Sequence, residues 1–206
     1  MTTAPALNGL TKINLREQAL ASVRTAITTG QLPPGTQMVE TDLSEQLGIS
    51  RGTLREAMRQ LQQEGLLVAG GRGRLYVRRL GPKEIADLFV VRASLEGLAA
   101  SILAREDDRE DAIGRLRGLL DAMNRAVNEQ HLERRIEADL AFHHELCRLT
   151  SNETLLHSWE GLEGSIRMSI MYAGTDRAIG NMDVRRHDVI VAAIRSGDAE
   201  AAHAAV

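Results

Sequence analysis

The chain has few of the features that mark secreted, membrane-spanning or single-strand-binding proteins. It contains one cysteine, Cys147, so no intrachain disulfide can form, and this favours a reducing cytoplasm. Aromatic residues make up 2% of the sequence, which argues against single-stranded nucleic acid as a ligand, because its bases stack on aromatic side chains. No apolar run approaches the roughly 20 residues of a membrane-spanning helix. Residues 1–11 lack a signal-peptide pattern, and we expect them to form a flexible tail.

Charge is distributed unevenly along the chain. Residues 1–80 hold ten Lys and Arg against six Asp and Glu, a net of +4, whereas the remainder holds 15 against 22, a net of −7, and the two give the formal charge of −3. With 43% apolar residues over a length of 206, the chain can form one large or two modest domains. The split suits a module that binds a polyanion joined to a sensing or assembly module, although ordinary surface variation would also produce it.

Two helices and the turn after them are predicted near the start of the chain. Apolar residues at helical spacing cover about 15–28. A second helix is predicted over 41–47, with Thr41 as its N-cap. Gly48 follows it and suits the left-handed conformation in which helices often end. This turn would lead directly into a third helix.

The third helix, predicted over 51–64 with Ser50 as its N-cap, has one apolar and one basic face. The apolar stripe is formed by Leu54, Ala57, Met58 and Leu61, and the residues off that stripe are Arg51, Gly52, Thr53, Arg55 and Arg59. Two helices joined by a tight turn are typical of a helix-turn-helix, whose second helix places its first residues against base edges in the DNA major groove. Arginine suits this task because its fork bonds guanine O6 and N7 together. The alternative is an ordinary solvated helix face.

Two short strands are predicted after the third helix, over 66–69 and 75–78. The loop between them, GGRGR, contains glycines that permit positive φ, together with Arg72 and Arg74, which can reach phosphates or the minor groove. This hairpin completes the layout of a winged helix-turn-helix. A nucleotide-binding glycine loop is the alternative, but the GxxxxGK[ST] pattern is absent.

From about residue 12 to residue 80 the sequence resembles the DNA-binding domain of the GntR family of bacterial transcription regulators. The shared motifs are the PPG turn, LSEQLGISR and LREAMRQLQQEGL, in that order. The resemblance implies that Arg51 and Arg55 contact operator guanines. It also implies that Ser50 and Thr53 contact the DNA backbone and that Gly73 lies at the minor groove.

Pro82 marks the boundary to a second part in which only helical periods are found. Apolar stripes broken by Gly, Asn and Asp predict helical segments near 83–104, 109–128, 132–150, 152–172 and 183–206. This part resembles the all-helical effector-binding FCD domain of the FadR-type branch of the family. The predicted fold is therefore mainly α. A winged helix-turn-helix domain over 12–80 precedes a helical bundle over 81–206 that binds a ligand and dimerises.

An acid and two imidazoles are predicted to project into this bundle. Asp139 and His143 lie four positions apart and so share a helix face, which the flanking apolar residues turn inward. His187 lies on a second inward stripe, with Ile190 and Ile194. Buried polar groups need partners, and this donor set suits Zn²⁺, Ni²⁺ or Mn²⁺. From spacing alone, a simple Asp139–His143 ion pair is the alternative.

The resemblance favours the metal ion. Many FadR-type members carry D-x-x-x-H, a later histidine before an AI-x-x-GD segment, and one more histidine in the final helix. His187, within VRRHDVIVAAIRSGDAEAA, matches the first of the late histidines. The second is expected a few residues past Val206, so either the chain continues or the fourth ligand is missing. His203 lies on an earlier turn than that pattern requires.

Four further side chains are candidates for contacting an effector. The resemblance places an arginine matching Arg92 in the ligand pocket, where it can pair with a carboxylate, but Glu96 four residues on is an equally good ion-pair partner. Asn152 would line the pocket or, alternatively, cap the next helix. Arg167 and Tyr172 are the remaining candidates.

These observations predict a homodimeric, cytoplasmic transcription regulator, more specifically a repressor. Each winged domain would bind half of a palindromic operator on double-stranded DNA, and a small organic acid bound at or near the metal would control it. One alternative is a regulator with a purely structural metal and no effector. Another is a metal-dependent hydrolase, because a metal held by Asp and His can activate water, but no HExxH pattern accompanies these residues.

Overall fold

The computed structural model describes residues 15–128, 132–172 and 182–206, so the predicted tail over 1–11 lies outside the described residues. The N-terminal part forms three helices and three short strands, in the order α1 Leu15–Thr28, β1 Gln37–Met38, α2 Glu40–Leu47, α3 Arg51–Gln63, β2 Leu67–Ala69 and β3 Leu75–Val77. The three predicted helices and the two predicted strands are all confirmed. The apolar stripe of α3 is fully buried against its neighbours, which leaves its arginines outside.

The capping predictions are confirmed at two positions and wrong at a third. Gly48 ends α2 with φ 63°, and the Ser50 hydroxyl accepts a hydrogen bond from the Thr53 backbone N–H at the start of α3. Thr41 is not an N-cap, because α2 begins one residue earlier, with Val39 in the cap position. The Thr41 hydroxyl instead bonds the Asp42 side chain.

The wing is a three-stranded antiparallel sheet in the order β1-β3-β2. The sequence did not predict β1, since two residues are too few to show an alternating period, and it forms by pairing Met38 with Leu75. At the wing tip, positive φ occurs at Gly73 and also at Arg72, with φ 71° and 61°. Gly70 has a different reason to be glycine: a Cβ there would lie 2.4 Å from the Tyr76 ring.

The C-terminal part consists of packed helices, as predicted. They are α4 Pro82–Arg105, α5 Glu110–Asn128, α6 Leu132–Arg148, α7 Glu153–Tyr172, α8 Val184–Ser196 and α9 Ala199–Ala204. Pro82 occupies the first turn of α4, where its missing N–H costs nothing. The single segment predicted over 183–206 is two helices, because Gly197 ends α8 with φ 77° and the Asp198 side chain caps α9. Within the described ranges, no helix is long and apolar enough to cross a membrane.

Helix α7 belongs to the cores of both parts of the protein. Trp159 and Ile166 are fully buried in the helical bundle, whereas Met168 is buried in the core of the winged part. Gly164 allows this close approach, since a Cβ there would lie 3.0 Å from Leu66 Cγ and 3.2 Å from the Glu64 carbonyl oxygen. The two parts are thus joined by side-chain packing as well as by the chain between β3 and α4.

We predict that Gly164→Ala destabilises the protein relative to Gly161→Ala. Both changes give the same helix-propensity gain on α7, but a Cβ at Gly161 meets nothing within 4 Å. The added methyl at Gly164 must displace Leu66 or the helix, at a cost of about 1–3 kcal/mol. Urea unfolding followed by circular dichroism measures the difference. Equal stabilities of the two variants would contradict the close packing.

Candidate DNA-binding surface and metal centre

The exposed face of α3 carries the predicted base-contacting arginines. The side chains of Arg51, Arg55 and Arg59 are 61%, 50% and 63% exposed. The opposite face anchors the helix through Leu54 and Leu61, which are both fully buried. The helix therefore presents its basic side chains to the outside on a rigid support, which is the arrangement that entry into a major groove requires.

Glu40, which the sequence analysis did not single out, organises two of these arginines. Arg55 donates to both of its carboxylate oxygens, from Nε at 3.2 Å and from Nη2 at 2.6 Å, and Arg51 Nη2 lies 3.8 Å away. The hydrogen bond from Arg55 lowers the pKa of Glu40. The guanidinium of Arg55 is thereby held in one orientation at the start of the recognition helix. Glu40 and Arg55 lie on different helices, so no helical spacing signals the pair.

The wing adds a second set of basic groups. Arg72, Gly73 and Arg74 are exposed, and in the described part of the chain neither arginine has an acidic partner. Unpaired arginines at the tip of a hairpin are available to phosphate oxygens. The N-terminal part thus has two basic elements, the recognition helix and the wing.

The structure brings together the three predicted metal ligands. Asp139 and His143 come from α6 and His187 from α8, and all three are at most 6% exposed. The His143 and His187 Nε2 atoms are 3.1 Å apart, and Asp139 Oδ1 lies 3.0 Å from His187 Nε2 and 3.9 Å from His143 Nε2. Donors about 2.1 Å from one ion and in neighbouring coordination positions are separated by roughly 3.0–3.4 Å. The set therefore fits one divalent ion after a small side-chain rotation.

The outer nitrogens of both imidazoles face acceptors, which directs their inner nitrogens at the cluster. His187 Nδ1 lies 3.0 Å from the Asp183 carbonyl oxygen. His143 Nδ1 lies 2.9 Å from Glu96 Oε2, although the angle is poor for a hydrogen bond. When a metal ion is bound, protons on both Nδ1 atoms would leave the two Nε2 lone pairs free to coordinate it. Acceptors that face the outer nitrogen in this way are typical of metal-bound histidines.

Glu96 is the centre of a buried charge network that the sequence analysis considered only as a rival partner for Arg92. Arg92 Nε donates to Glu96 Oε1 at 2.7 Å, and Trp159 Nε1 donates to the same oxygen at 2.8 Å. Arg92 Nη2 also reaches Asp139 Oδ2 at 3.5 Å. Arg92 is therefore paired with Glu96, as one of the two alternatives predicted, and it also lies beside the predicted metal ligands.

Both carboxylates in this network are ionised. Burial raises the pKa of Glu96, but the adjacent His143 and Arg92, with the hydrogen bond from Trp159, outweigh burial and bring the pKa to about 2. Burial also opposes ionisation of Asp139, yet the hydrogen bond from His187 and the nearby charges bring its pKa to about 2. Burial lowers the pKa of His143 and so favours its neutral form. The two ionised carboxylates outnumber the single guanidinium of Arg92, so the network favours the binding of a divalent cation.

The cluster lines a cavity of about 590 Å³. Its polar lining residues are Arg92, Glu96, Asp139, His143, Ser169, Arg186 and His187. The remaining wall is apolar, with Phe89, Met182 and Ile190 as its larger members. Arg186 is exposed, unlike the other polar lining residues, and no sequence pattern distinguishes it from other surface arginines.

Three of the four predicted effector contacts do not line this cavity. Asn152 Oδ1 accepts from the Leu155 backbone N–H and so caps α7. Arg167 is bound by Glu137 and Glu163 in a separate surface groove. Tyr172 is 42% exposed, and its hydroxyl faces Gly30 of the winged part. Helix α7 instead turns Ser169 and Ile170 towards the cavity.

His203 is also separate from the cluster. Its ring packs on Gly97, where a Cβ would lie 2.9 Å from His203 Cε1. In the parts of the chain that the structure describes, Asp139, His143 and His187 form the only group of three side chains placed to share a metal ion.

Comparison with known families matches both parts of the chain. The model for bacterial regulatory proteins of the gntR family matches residues 15–77, and the FCD domain model matches residues 87–206. Together they cover the winged part and the helical bundle.

Individual relatives match over nearly the whole chain. The "Probable D-xylose utilization operon transcriptional repressor" of Paenarthrobacter nicotinovorans is 28% identical over 96% of this chain and 86% of its own length. An uncharacterized HTH-type transcriptional regulator of Mycobacterium tuberculosis is 31% identical over 92% of this chain and 84% of its own. Among solved structures, Escherichia coli McbR/YncC has the same fold, with a TM-score of 0.75 at 22% identity, covering 93% of this chain and 91% of that one.

We predict that Glu96→Gln destabilises the metal-free protein by about 2–5 kcal/mol, because removing its charge leaves the buried Arg92 guanidinium without its main partner. Glu160→Gln is the matched control: its partner His144 is 35% exposed, and an exposed pair contributes about 1 kcal/mol or less. Chemical unfolding of both variants gives the comparison. Similar losses would show that the Glu96 network does not stabilise the bundle.

Proposed function

The chain belongs to the GntR family of bacterial regulatory proteins, with an FCD domain, and is a DNA-binding transcription regulator rather than an enzyme; from this membership we propose that it is a homodimeric repressor controlled by a carboxylate that binds at a divalent metal centre. The observation that supports the control mechanism is the cluster of three buried side chains, Asp139, His143 and His187, at the wall of a cavity. As a regulator of a bacterial family, it acts on double-stranded DNA in the cytoplasm.

The recognition helix and the wing are the proposed DNA contacts. Arg51 and Arg55 would bond guanine edges in the major groove, and Arg59 would reach the flanking backbone. Ser50, Gly52 and Thr53 surround the point where the helix begins, so the backbone can approach closely there. The wing residues Arg72, Gly73 and Arg74 would contact phosphates and the minor groove. A dimer would place two such units on the halves of a palindrome.

Asp139, His143 and His187 would hold Zn²⁺, Ni²⁺ or Mn²⁺, which when bound supplies positive charge and open coordination positions. With a divalent ion bound, both imidazoles must be neutral, and the two carboxylates, the Arg92 guanidinium and the ion then sum to one positive charge. A carboxylate entering the cavity would neutralise that remaining charge. Arg92, already beside Asp139, is placed to bond such a carboxylate. The charge balance therefore favours an acid over a neutral ligand.

Helix α7 provides a physical connection between the cavity and the DNA-binding part. Ser169 and Ile170 line the cavity, while the preceding residue, Met168, is packed in the core of the winged part. A ligand that favours one position of α7 would shift the population of winged-domain arrangements, by as much as its affinities for the two arrangements differ. Repression, relieved by the effector, is proposed because a relative of this chain is named as a repressor.

The DNA-binding proposal predicts different effects for two arginines. Arg55→Ala should weaken operator binding by roughly 1–3 kcal/mol and relax specificity at one base pair. Arg74→Ala should weaken binding evenly across sequences and flatten its salt dependence. Arg115→Ala, which removes an exposed arginine of the helical bundle, is the control and should bind like the parent. Fluorescence anisotropy titrations at several salt concentrations measure all three. Parental affinity in both test variants would mean that the surface is misplaced.

The metal proposal predicts that His187→Ala weakens binding of the divalent ion by more than about 100-fold. His157→Ala, at a histidine whose side chain is 75% exposed, should have no effect. Isothermal titration of chelator-treated protein with Zn²⁺, Ni²⁺ and Mn²⁺ measures the affinities, and thermal-shift screening of carboxylates with and without metal follows. If metal raises stability but no carboxylate releases DNA, the metal is structural. If chelated protein binds carboxylates equally well, the metal is not the docking point.

A further inference from the structure

We infer that Arg186 forms a second anion-binding position in the cavity and selects a dicarboxylate with an apolar spacer over a monocarboxylate. This inference rests on the proposed binding of a carboxylate at the metal centre and specifies which carboxylate the site takes. It follows from three observations: the position of Arg186, its lack of an acidic partner among the described residues, and the size and lining of the cavity.

Arg186 is exposed, whereas the other polar lining residues of the cavity are buried. It therefore lies on a side of the cavity that faces solvent. It directly precedes His187 on α8, so the same turn of helix contributes a group to the buried cluster and a cation to the opening. Arg186 is therefore the polar lining residue that solvent reaches.

Within the described residues, the Arg186 side chain has no acidic partner. The nearest acid in sequence on its N-terminal side, Asp183, is occupied by Arg185, whose Nη2 lies 2.5 Å from Asp183 Oδ2 and whose Nε contacts both oxygens. Asp188 is two positions further along α8 and so projects from a different face of the helix. A guanidinium that lines a cavity and is not paired with an acid in the described parts of the chain is available to an anionic group of the ligand.

The size and lining of the cavity determine what separates the two anionic groups. A volume of about 590 Å³ is in the range that accommodates a drug-sized ligand, so a carboxylate of two or three carbons would leave most of the space unfilled. The wall contributed by Ile85, Phe89, Met182 and Ile190 is apolar. A carbon chain or an aromatic ring fits against this wall at less cost than a hydroxylated chain, whose polar groups would lose water without gaining partners.

These features together define the ligand as an anion at each end of an apolar spacer. One carboxylate would lie at the metal centre beside Arg92, and the other at Arg186. Because Arg186 is exposed, its contribution is modest and sensitive to salt: we expect a preference of about three- to tenfold for the dicarboxylate over the monocarboxylate of the same carbon count. Higher ionic strength should reduce that preference, since the charge is accessible to counter-ions.

The experiment compares matched ligand pairs on the full-length, metal-loaded protein by isothermal titration. The pairs are adipate with hexanoate, suberate with octanoate, and terephthalate with 4-methylbenzoate. We expect at least one dicarboxylate to bind more tightly than its partner in the parent. In Arg186→Gln that preference should disappear while monocarboxylate binding is unchanged, and Arg186→Lys should keep part of it. Arg185→Gln, which changes an adjacent arginine with a 90% exposed side chain, should behave like the parent.

The outcomes separate this inference from the function on which it depends. If monocarboxylates bind in a metal-dependent way but no dicarboxylate binds more tightly, the inference is wrong and the proposed function stands. The same holds if the dicarboxylate preference survives in Arg186→Gln or disappears equally in Arg185→Gln. If no carboxylate of either class binds the metal-loaded parent, both the inference and the proposed carboxylate control are wrong.

Discussion

The packing of the helical bundle depends most on a few buried charges, each of which is held by an opposite charge or a hydrogen bond. Glu96 and Asp139 are buried anions held by the buried Arg92, and Trp159 donates to Glu96 as well. Isolated buried charges are costly, so each of these groups constrains the position of its neighbours. Because the groups come from α4, α6 and α7, with His187 added from α8, the network fixes how four helices pack. The same constraint that organises the bundle also assembles the candidate metal site.

The attachment of this bundle to the winged part is the second constraint. Helix α7 buries Trp159 in one core and Met168 in the other, and Gly164 lets it approach Leu66. Packed cores do not deform continuously, so under the proposed control a change at the cavity wall would move α7 as a unit. The position of the DNA-binding part would then depend on the contents of a cavity that contains no DNA contact.

Much of the fold was accessible from the sequence because it depends on local patterns. Helical periods located the helices, and Gly48 and Ser50 marked a boundary through backbone and side-chain chemistry that acts within a few residues. The four-residue spacing of Asp139 and His143 was sufficient to place both on one helix face, while the pairing with His187 was predicted because each lay on an inward stripe. These are short-range rules that the tertiary structure did not override.

The features that the sequence did not predict depend on contacts between distant segments. Strand β1 exists because Met38 pairs with Leu75, and Glu40 holds Arg55 from another helix. Helix α7 carries Arg167 and Tyr172 as well as the cavity-lining Ser169. Which of these side chains faces the cavity depends on how the helix is rotated as it packs against the two cores. Arg186 became distinguishable from its neighbour Arg185 only once the positions of Asp183 and the cavity were known.

Trp159 has an optical consequence. It is the only tryptophan of the chain, it is fully buried, and its indole N–H bonds Glu96, whose other oxygen faces His143. All tryptophan fluorescence of the protein therefore originates from an indole that is separated from the candidate ligand His143 only by the carboxylate of Glu96. Its emission wavelength and lifetime depend on the local electric field, so the chain carries a built-in spectroscopic probe of the charge at the candidate metal centre, with no added label.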